Sequence, residues 1–380
     1  MSVYPRAVSC FALFDFDKGI RDAALDPPLK KVSMSLQAVP ANSRVSWLDL
    51  GRVIAMFAVI GIHYASPDFH AIDNTASPEW LLGTFWMSFL KGEASTLFFM
   101  ISGALLLPRS STSDPKRTFG RVANLLFPLL VWSFLILGYA TWTSGAQFKP
   151  LDLLYKPAYY HLWFLYAMIG VYVFLPLIKA LYDKIVSDVN FKVYFLVLSL
   201  IVFALNSYGA DKTIPVFGLE VFFGYGMLFL LGGLTHDLIR TLWSNPADTR
   251  KVRLTSGLIF LVLKAITFAL LFEENVNALK ATEHWINNFQ LHIVVTSMCF
   301  LVFLSTFRIT SPRMVSALSW LSNKIFVIYF LHALILHWVK GLVSFPTAAA
   351  IPLYTLLNFA ICLAFAAVVR RTLPTRRVLG

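Results

Sequence analysis

Charged residues are scarce in this chain. Asp, Glu, Lys and Arg make up 14% of its 380 residues, whereas a soluble domain carries about 25%. The apolar residues, 58% of the total, come in runs of roughly 18 or more, the length that crosses a hydrocarbon core of about 30 Å. Because a backbone in lipid has to satisfy its own hydrogen bonds, these runs predict helices. The composition therefore excludes an ordinary soluble domain.

Cysteine is rare, and several catalytic motifs are missing. The three cysteines, Cys10, Cys299 and Cys362, form neither a disulfide framework nor a metal-ligand spacing, so we predict no metal. The chain also lacks a Gly-x-Ser-x-Gly elbow, a phosphate-binding loop and a His-Glu-x-x-His zinc motif. These absences argue against the common soluble hydrolase and nucleotide-dependent chemistries.

Ten apolar runs are candidate membrane spans, and they predict an all-α, polytopic integral membrane bundle of about ten transmembrane helices. The apolar stretch just before the second run either lies along the membrane interface or extends a tilted helix. The runs are Trp47–Ala65, Ser88–Leu107, Val122–Trp142, Leu162–Leu181, Phe191–Asn206, Val216–His236, Leu254–Phe272, Phe289–Phe307, Trp320–Trp338 and Ala348–Val369.

The 32 Lys and Arg residues are distributed unevenly among the predicted loops. With the N terminus in the cytoplasm, 24 of them fall on the inner side and 4 on the outer side, and the remaining four lie within or at the edge of spans. This is the positive-inside pattern, and it predicts that both termini are cytoplasmic. The net charge of +12 is thus a topology signal that favours membrane lipids, and not nucleic acid, as partners.

The organisation along the chain is simple. Residues 1–45 are predicted to be a cytoplasmic N-terminal segment without the pattern of a signal peptide. Met34 stands just before the first span and is a candidate for the true start. Residues 46–370 are expected to form one membrane domain, and residues 371–380 a basic cytoplasmic tail.

The first span carries Arg52 and His63. At 100° per residue, eleven residues come within about 20° of three full turns, and the rise is about 16 Å. One stripe of the helix thus carries a cation near one leaflet and a proton acceptor towards the other, and such residues usually mark function. Alternatively, Arg52 snorkels to lipid head groups and His63 bonds a neighbouring backbone. Asp49 is predicted to pair with Arg52.

Several motifs occur in the order found in the acyltransferase-3 family, which moves acyl groups onto surface carbohydrates in bacteria. The likeness covers about residues 45–370 and is strongest to short members such as the O-acetyltransferase of enterobacterial common antigen. The arginines of the third motif are more widely spaced than in the family. The motifs that resemble the family's are Trp47-Leu-Asp-Leu-Gly-Arg52 with His63, Phe98-Phe-Met-Ile-Ser-Gly103, Lys116-Arg-Thr-Phe-Gly-Arg121, His161-Leu-Trp163, and Ser319 with Tyr329-Phe-Leu-His332.

The resemblance implies an O-acetyltransferase of the bacterial inner membrane. Its donor would be acetyl-CoA, and its acceptor a hydroxyl of a cell-surface or lipid-linked carbohydrate. His63 is the candidate general base, because a neutral imidazole can take the hydroxyl proton near pH 7; direct transfer and a transient acyl-histidine both remain open. Arg52, Arg117 and Arg121 are candidates for binding the phosphates of coenzyme A. The alternative for Arg117 and Arg121 is membrane anchoring.

Five further residues are candidates for the site. Glu93, predicted at a depth similar to that of His63, is expected to orient the imidazole or to bind acceptor; the alternative is an interfacial pair with Lys91. His161 and Trp163 are candidates for sugar binding, or else members of an aromatic belt. Tyr329 and His332 are predicted either to line a tunnel or to form a packed, hydrogen-bonded pair.

Two other functions fit the same composition. A transporter or flippase for a polyprenyl-linked glycan would also use buried His, Glu and Arg, for proton coupling. Against it, the chain shows no inverted repeat and no paired broken helices in its hydropathy. A non-catalytic membrane scaffold is the third alternative.

Overall fold

A computed structural model describes residues 45–72, 75, 77–145, 147, 149–208, 224–243 and 248–372. The predicted N-terminal segment up to residue 44 and the tail from residue 373 lie outside these ranges. The described residues form helices without any strand. The helices are α1 Ser46–His70, α2 Pro78–Leu106, α3 Pro115–Ser144, α4 Trp163–Val173, α5 Leu175–Ser187, α6 Val189–Tyr208, α7 Tyr225–Leu242, α8 Thr249–Ala278, α9 Leu291–Ser305, α10 Pro312–Ser322, α11 Ile325–Leu331, α12 Leu336–Leu342 and α13 Thr347–Thr372.

The prediction of a polytopic helical bundle is confirmed. Within the described ranges, eight helical segments are long and apolar enough to cross a membrane, and a bent pair raises the number to nine. Helix α7 corresponds to the sixth predicted run, whose residues 216–223 lie outside the described part of the chain. The spans α1 and α2 are mostly buried inside the protein, whereas α3 and α6 are mostly exposed. The centre of the bundle therefore lies around α1 and α2.

Helix α2 is longer than the predicted run from Ser88. The Ser77 hydroxyl accepts a hydrogen bond from the amide N–H of Trp80, at 3.2 Å, and Pro78 occupies the first helical position. A serine cap followed by proline starts a helix efficiently. The apolar stretch before Ser88 therefore belongs to the same helix, which was one of the two alternatives.

The fourth predicted run is broken. The segments Tyr160–Val173 and Leu175–Ser187 meet at an angle of 65°. Pro176 lies in the first turn of α5, where it has no amide N–H to donate and its ring would clash with the backbone of a continuing helix. A straight span over Leu162–Leu181 was therefore the wrong prediction.

The ninth predicted run is also not one helix. It divides into the end of α10, all of α11 and the start of α12, with a break at residues 332–335. The Asn358 amide donates to the carbonyl oxygen of His332 at 3.1 Å, and the Tyr64 hydroxyl donates to that of Leu336 at 3.4 Å. Because backbone groups freed at membrane depth need partners, these side chains stabilise the break.

Helices α2 and α7 touch through two glycines. A Cβ at Gly103 would lie 1.8 Å from the carbonyl oxygen of Phe229, and one at Gly232 would lie 2.1 Å from that of Met100. Only glycine, which has no side chain, allows the two backbones to come this close. Close contact at small residues is a common way for membrane helices to associate. The contact fixes α7 against the helix that carries Phe98 and Ser102.

Candidate active site

His63 lies at the junction of two cavities near the same end of α1. We call one the histidine cavity; it measures about 310 Å³, and the other, the vestibule, about 520 Å³. The Lys91 ammonium pairs with the Glu283 carboxylate at 2.8 Å, and both residues line both spaces. The histidine cavity also contains Ser95, His161, Trp163, Asn287, Asn288 and Tyr329, and the vestibule Ser66, Tyr160, His337 and Lys340.

Three imidazoles gather beside the histidine cavity. The ring centroid of His332 lies 5.4 Å from that of His63 and 5.1 Å from that of His161. The Tyr329 hydroxyl donates to the backbone carbonyl of His161, which ties α11 to the start of α4. Among the described residues, no group of three His, Cys, Asp or Glu side chains has an arrangement that could hold a metal ion.

His161 and His332 carry ring nitrogens without partners. His161 is 3% exposed, and neither of its ring nitrogens has a hydrogen-bond partner among the described residues. The Nδ1 of His332 lies 2.7 Å from the carbonyl oxygen of Tyr329, while its Nε2 is unpaired within the same part of the chain. Buried polar groups in proteins are nearly always paired. This cluster thus offers several hydrogen-bonding positions to a ligand.

Arg52 lines a second space, the arginine cavity, of about 220 Å³. Its Nη1 lies 3.4 Å from an Asp49 carboxylate oxygen, which also accepts a hydrogen bond from the Ser322 hydroxyl at 2.7 Å. The predicted Asp49–Arg52 pair is therefore present. The side chain of Arg52 is 35% exposed and forms part of the cavity lining.

The two arginines of the third motif have different surroundings. Arg117 is 63% exposed and pairs with Asp114 at 3.5 Å on the first turn of α3. One guanidinium nitrogen of Arg121, Nη1, is buried and has no hydrogen-bond partner among the described residues. The structure thus buries part of the Arg121 guanidinium, whereas Arg117 lies at the surface.

Three aromatic side chains separate the arginine cavity from the histidine cavity. Phe98, Phe164 and Tyr329 line both spaces. The ring centroid of Phe164 lies 5.7 Å from that of Phe98 and 5.8 Å from that of Tyr329. We call these three side chains the aromatic wall. Arg52 and His63 therefore lie on opposite sides of one wall.

Glu93 has a different partner from the one expected. Its carboxylate lies 2.6 Å from the Lys264 ammonium of α8, and both side chains are almost completely buried. Glu93 lines a separate apolar cavity and not the one that contains His63. The expectation that Glu93 orients the His63 imidazole, or pairs with Lys91, is therefore corrected. The sequence contains a signal for the true partner, because Lys264 is a lysine within an apolar run and needs a counterion there.

Sequence reasoning missed the polar rim of the histidine cavity. The Ser95 hydroxyl donates to the side-chain oxygen of Asn288 at 3.1 Å, and Asn287 lies beside it in the cavity lining. Asn287 and Asn288 precede α9 in a loop, where polar residues are common and carry no signal of their own. Asn358 was also missed, although a buried amide in the last apolar run was a usable signal.

Fold and site together define a multi-pass membrane protein with a cavity inside its helical bundle that is partly lined by polar side chains. A family model for an acyltransferase domain matches residues 45–367. This range covers nearly all of the helical bundle that the structure describes. The chain belongs to the acyltransferase-3 family and is a membrane acyltransferase. No curated protein and no solved structure matches it significantly.

Proposed function

We propose that this protein is an O-acetyltransferase of the bacterial inner membrane. It would take acetyl from acetyl-CoA on the cytoplasmic side and transfer it to a hydroxyl of a cell-surface or lipid-linked carbohydrate. The single observation that carries the proposal is the pair of cavities on the two sides of the aromatic wall. One contains the guanidinium that a phosphorylated donor requires, and the other the imidazoles that a hydroxyl acceptor requires.

The donor side is assigned to Arg52 and Arg121. Guanidinium groups bind phosphate through paired N–H donors. Arg52 lines the arginine cavity, and Arg121 has a buried guanidinium nitrogen without a partner in the described part of the chain. The pantetheine arm of coenzyme A is long and thin. It would enter from the arginine cavity and carry its thioester past the aromatic wall towards His63. Arg117 is left as an anchoring residue at the membrane surface.

The acceptor side is assigned to the histidine cavity and the vestibule. Trp163 offers an aromatic face on which a sugar ring can stack, and Asn288 and His161 offer hydrogen-bonding groups. His63 would take the proton of the attacking hydroxyl as the oxygen bonds to the thioester carbon. The carbon–sulfur bond then breaks, the thiolate takes up a proton, and coenzyme A leaves. An acyl-histidine on His63 would divide the same chemistry into two steps.

Envelope glycans test the proposal directly. A strain that lacks the protein is complemented with the wild type or with His63→Ala, and the glycans are compared by mass spectrometry. We expect the acetyl mass increment to be absent from the His63→Ala strain, although the variant reaches the membrane in normal amounts. A variant that restores acetylation would refute the role of His63.

A sealed-vesicle assay tests the crossing of the membrane. Acetyl-CoA is supplied on one side only, and acceptor acetylation is measured on each side. Modification on the side opposite to the donor is the expected outcome. Acceptor modified only on the donor's own side would refute the threading of the donor arm past the aromatic wall.

A transporter or flippase for a polyprenyl-linked glycan is the second candidate. Two broken helical segments, at α4–α5 and at α11–α12, favour it more than the sequence did, because broken helices often form transport sites. Purified protein in vesicles separates the two functions. The acetyltransferase binds acetyl-CoA and consumes it with acceptor, whereas a transporter does neither and shows glycan counterflow.

A further inference from the structure

The protonation of the His332 ring is determined by one hydrogen bond. Its Nδ1 lies 2.7 Å from the carbonyl oxygen of Tyr329. Because a carbonyl oxygen can only accept, Nδ1 must carry the hydrogen atom. The Nε2 of the neutral ring is then a lone-pair acceptor and cannot donate. His332 thus has a single tautomer, with its acceptor nitrogen directed away from its own helix.

That acceptor nitrogen has no partner in the described part of the chain. His332 is completely buried, and Nε2 forms no hydrogen bond there. The planes of the His332 and His63 rings lie at 28° to each other, with their centroids 5.4 Å apart. Neither His63 nor any other described residue donates a hydrogen bond to Nε2 of His332. A bound molecule can supply the donor that this buried nitrogen lacks.

The position of His332 is itself held by a second buried side chain. Asn358 is completely buried and donates to the backbone carbonyl of His332 and to the Tyr64 hydroxyl, each at 3.1 Å. These bonds secure the break between α11 and α12, where a continuing helix would carry the ring elsewhere. The fold therefore uses two polar contacts at membrane depth to hold this imidazole beside His63.

We propose that Nε2 of His332 accepts a hydrogen bond from the acceptor, donated by a hydroxyl next to the one that is acetylated. This inference rests on the proposed function and narrows its acceptor to sugars with neighbouring hydroxyls. Imidazole-to-hydroxyl hydrogen bonds are about 2.8 Å long. Two rings with centroids 5.4 Å apart can therefore each reach one of two adjacent oxygens. His63 takes the reacting hydroxyl, and His332 orients the sugar through its neighbour.

The variant His332→Asn tests this role. Asparagine keeps an N–H at the δ position, which can still donate to the carbonyl of Tyr329, and lacks a nitrogen at the ε position. Transfer from labelled acetyl-CoA to membranes that carry the native acceptor is measured, together with acetyl-CoA binding to the purified variant. We expect transfer to fall about tenfold, the effect of one hydrogen bond, with acetyl-CoA affinity unchanged and more acceptor needed for the half-maximal rate.

The matched control is His70→Asn. His70 makes the same kind of contact, from its Nδ1 to the carbonyl oxygen of Ser66 at 2.7 Å, but it is exposed at the end of α1. The His70→Asn variant should transfer acetyl at the wild-type rate. Unchanged transfer by His332→Asn would overturn the inference, as would an equal loss of acetyl-CoA binding. If the wild type itself neither binds acetyl-CoA nor transfers acetyl, the proposed function fails and this inference falls with it.

Periodate provides a second test that leaves the protein unaltered. It cleaves the carbon–carbon bond between neighbouring hydroxyls and spares isolated ones. Acceptor membranes are oxidised, reduced with borohydride, washed and offered to wild-type protein with labelled acetyl-CoA. We expect transfer to be lost, in contrast to mock-treated membranes. Full transfer to the oxidised acceptor would show that no neighbouring hydroxyl is required and would overturn the inference.

Discussion

Ionisable side chains at membrane depth are expensive, and in this protein they are concentrated in a few contacts. Arg52 is held by Asp49, Glu93 by Lys264, and Lys91 by Glu283. An isolated charge in hydrocarbon would cost several kcal/mol. The pairs differ in how exposed their charged groups remain. The Arg52 side chain is 35% exposed, whereas that of Glu93 is 5% exposed beside its counterion.

Arg121 and Arg117 form a matched pair of variants on one helix. Arg121→Ala should raise the KM for acetyl-CoA about tenfold, because it removes a guanidinium with a buried, unpaired nitrogen that is proposed to bind phosphate. Arg117→Ala removes an equal charge from an exposed turn and should change the KM by less than about twofold. Steady-state kinetics with acetyl-CoA as the varied substrate measure both. Equal effects of the two variants would contradict the assignment.

The Glu93–Lys264 pair should act mainly on stability. Glu93→Gln leaves a buried ammonium without its counterion and should destabilise the fold by about 3–5 kcal/mol. In the double variant Glu93→Gln, Lys264→Met no charge remains, so stability should return nearly to that of the wild type. Unfolding in detergent measures the three proteins.

Acetyl transfer by the same double variant separates a structural role from a catalytic one. A structural pair predicts that the refolded double variant keeps most of its activity. Loss of transfer in a double variant with normal stability would restore Glu93 to the reaction.

Breaks and close contacts between helices decide which side chains meet. Pro176 lies in the first turn of α5, which leaves α4 at an angle of 65°. The break after α11 falls at residues 332–335, so His332 lies where the regular helix ends. The placement of its imidazole therefore depends on this break and not only on the rotation of 100° per residue in a regular helix.

The α2–α7 contact predicts a strong effect of one methyl group. Gly103→Ala would place its Cβ far inside the contact distance to Phe229, so the helices must separate. We expect a loss of about 2–3 kcal/mol or more in unfolding free energy and a lower yield of folded protein. Gly138→Ala on α3 is the control, since nothing lies within 4 Å of its added Cβ. It should be neutral or stabilise by up to about 1 kcal/mol.

At the scale of the whole molecule, the aromatic wall is the feature that keeps the two halves of the site apart. The cavity with Arg52 and the cavity with His63 share Phe98, Phe164 and Tyr329 in their linings. A wall of rings excludes water and ions when closed, yet rings can rotate to admit a thin chain. This arrangement suits a reaction whose donor and acceptor come from different sides.

Thiol accessibility tests the wall without any acetylation assay. In a background without Cys10, Cys299 and Cys362, the variants Ser95→Cys and Ser102→Cys report on the two cavities. In sealed vesicles a membrane-impermeant reagent should reach Ser95→Cys only from the His63 side and Ser102→Cys only from the other. Adding Phe164→Ala should let each thiol react from both sides.

The control for the wall is a phenylalanine that faces outwards. Phe127→Ala removes a ring that is 49% exposed on α3 and should leave the sidedness of both thiols unchanged. If either thiol reacts from both sides while Phe164 is intact, the two cavities are already connected and the wall does not separate them.

Much of this protein follows from its sequence alone. The apolar runs determined the helices and the membrane, because hydrophobic length and the need for internal hydrogen bonds are local properties. The spacing of Arg52 and His63 determined that both lie along one stripe of the first helix, since helical periodicity is also a local property. The order of the motifs was sufficient to predict the family.

Only the tertiary structure decided which residues work together. His161 and His332 are far apart in the sequence, as are Glu93 and Lys264, and hydropathy says which segments enter the membrane but not which faces meet. The choice of Arg121 over Arg117, the aromatic wall and the support of His332 by Asn358 all depend on how helices pack, bend and break. Those choices arise from contacts between distant segments, which no local periodicity encodes.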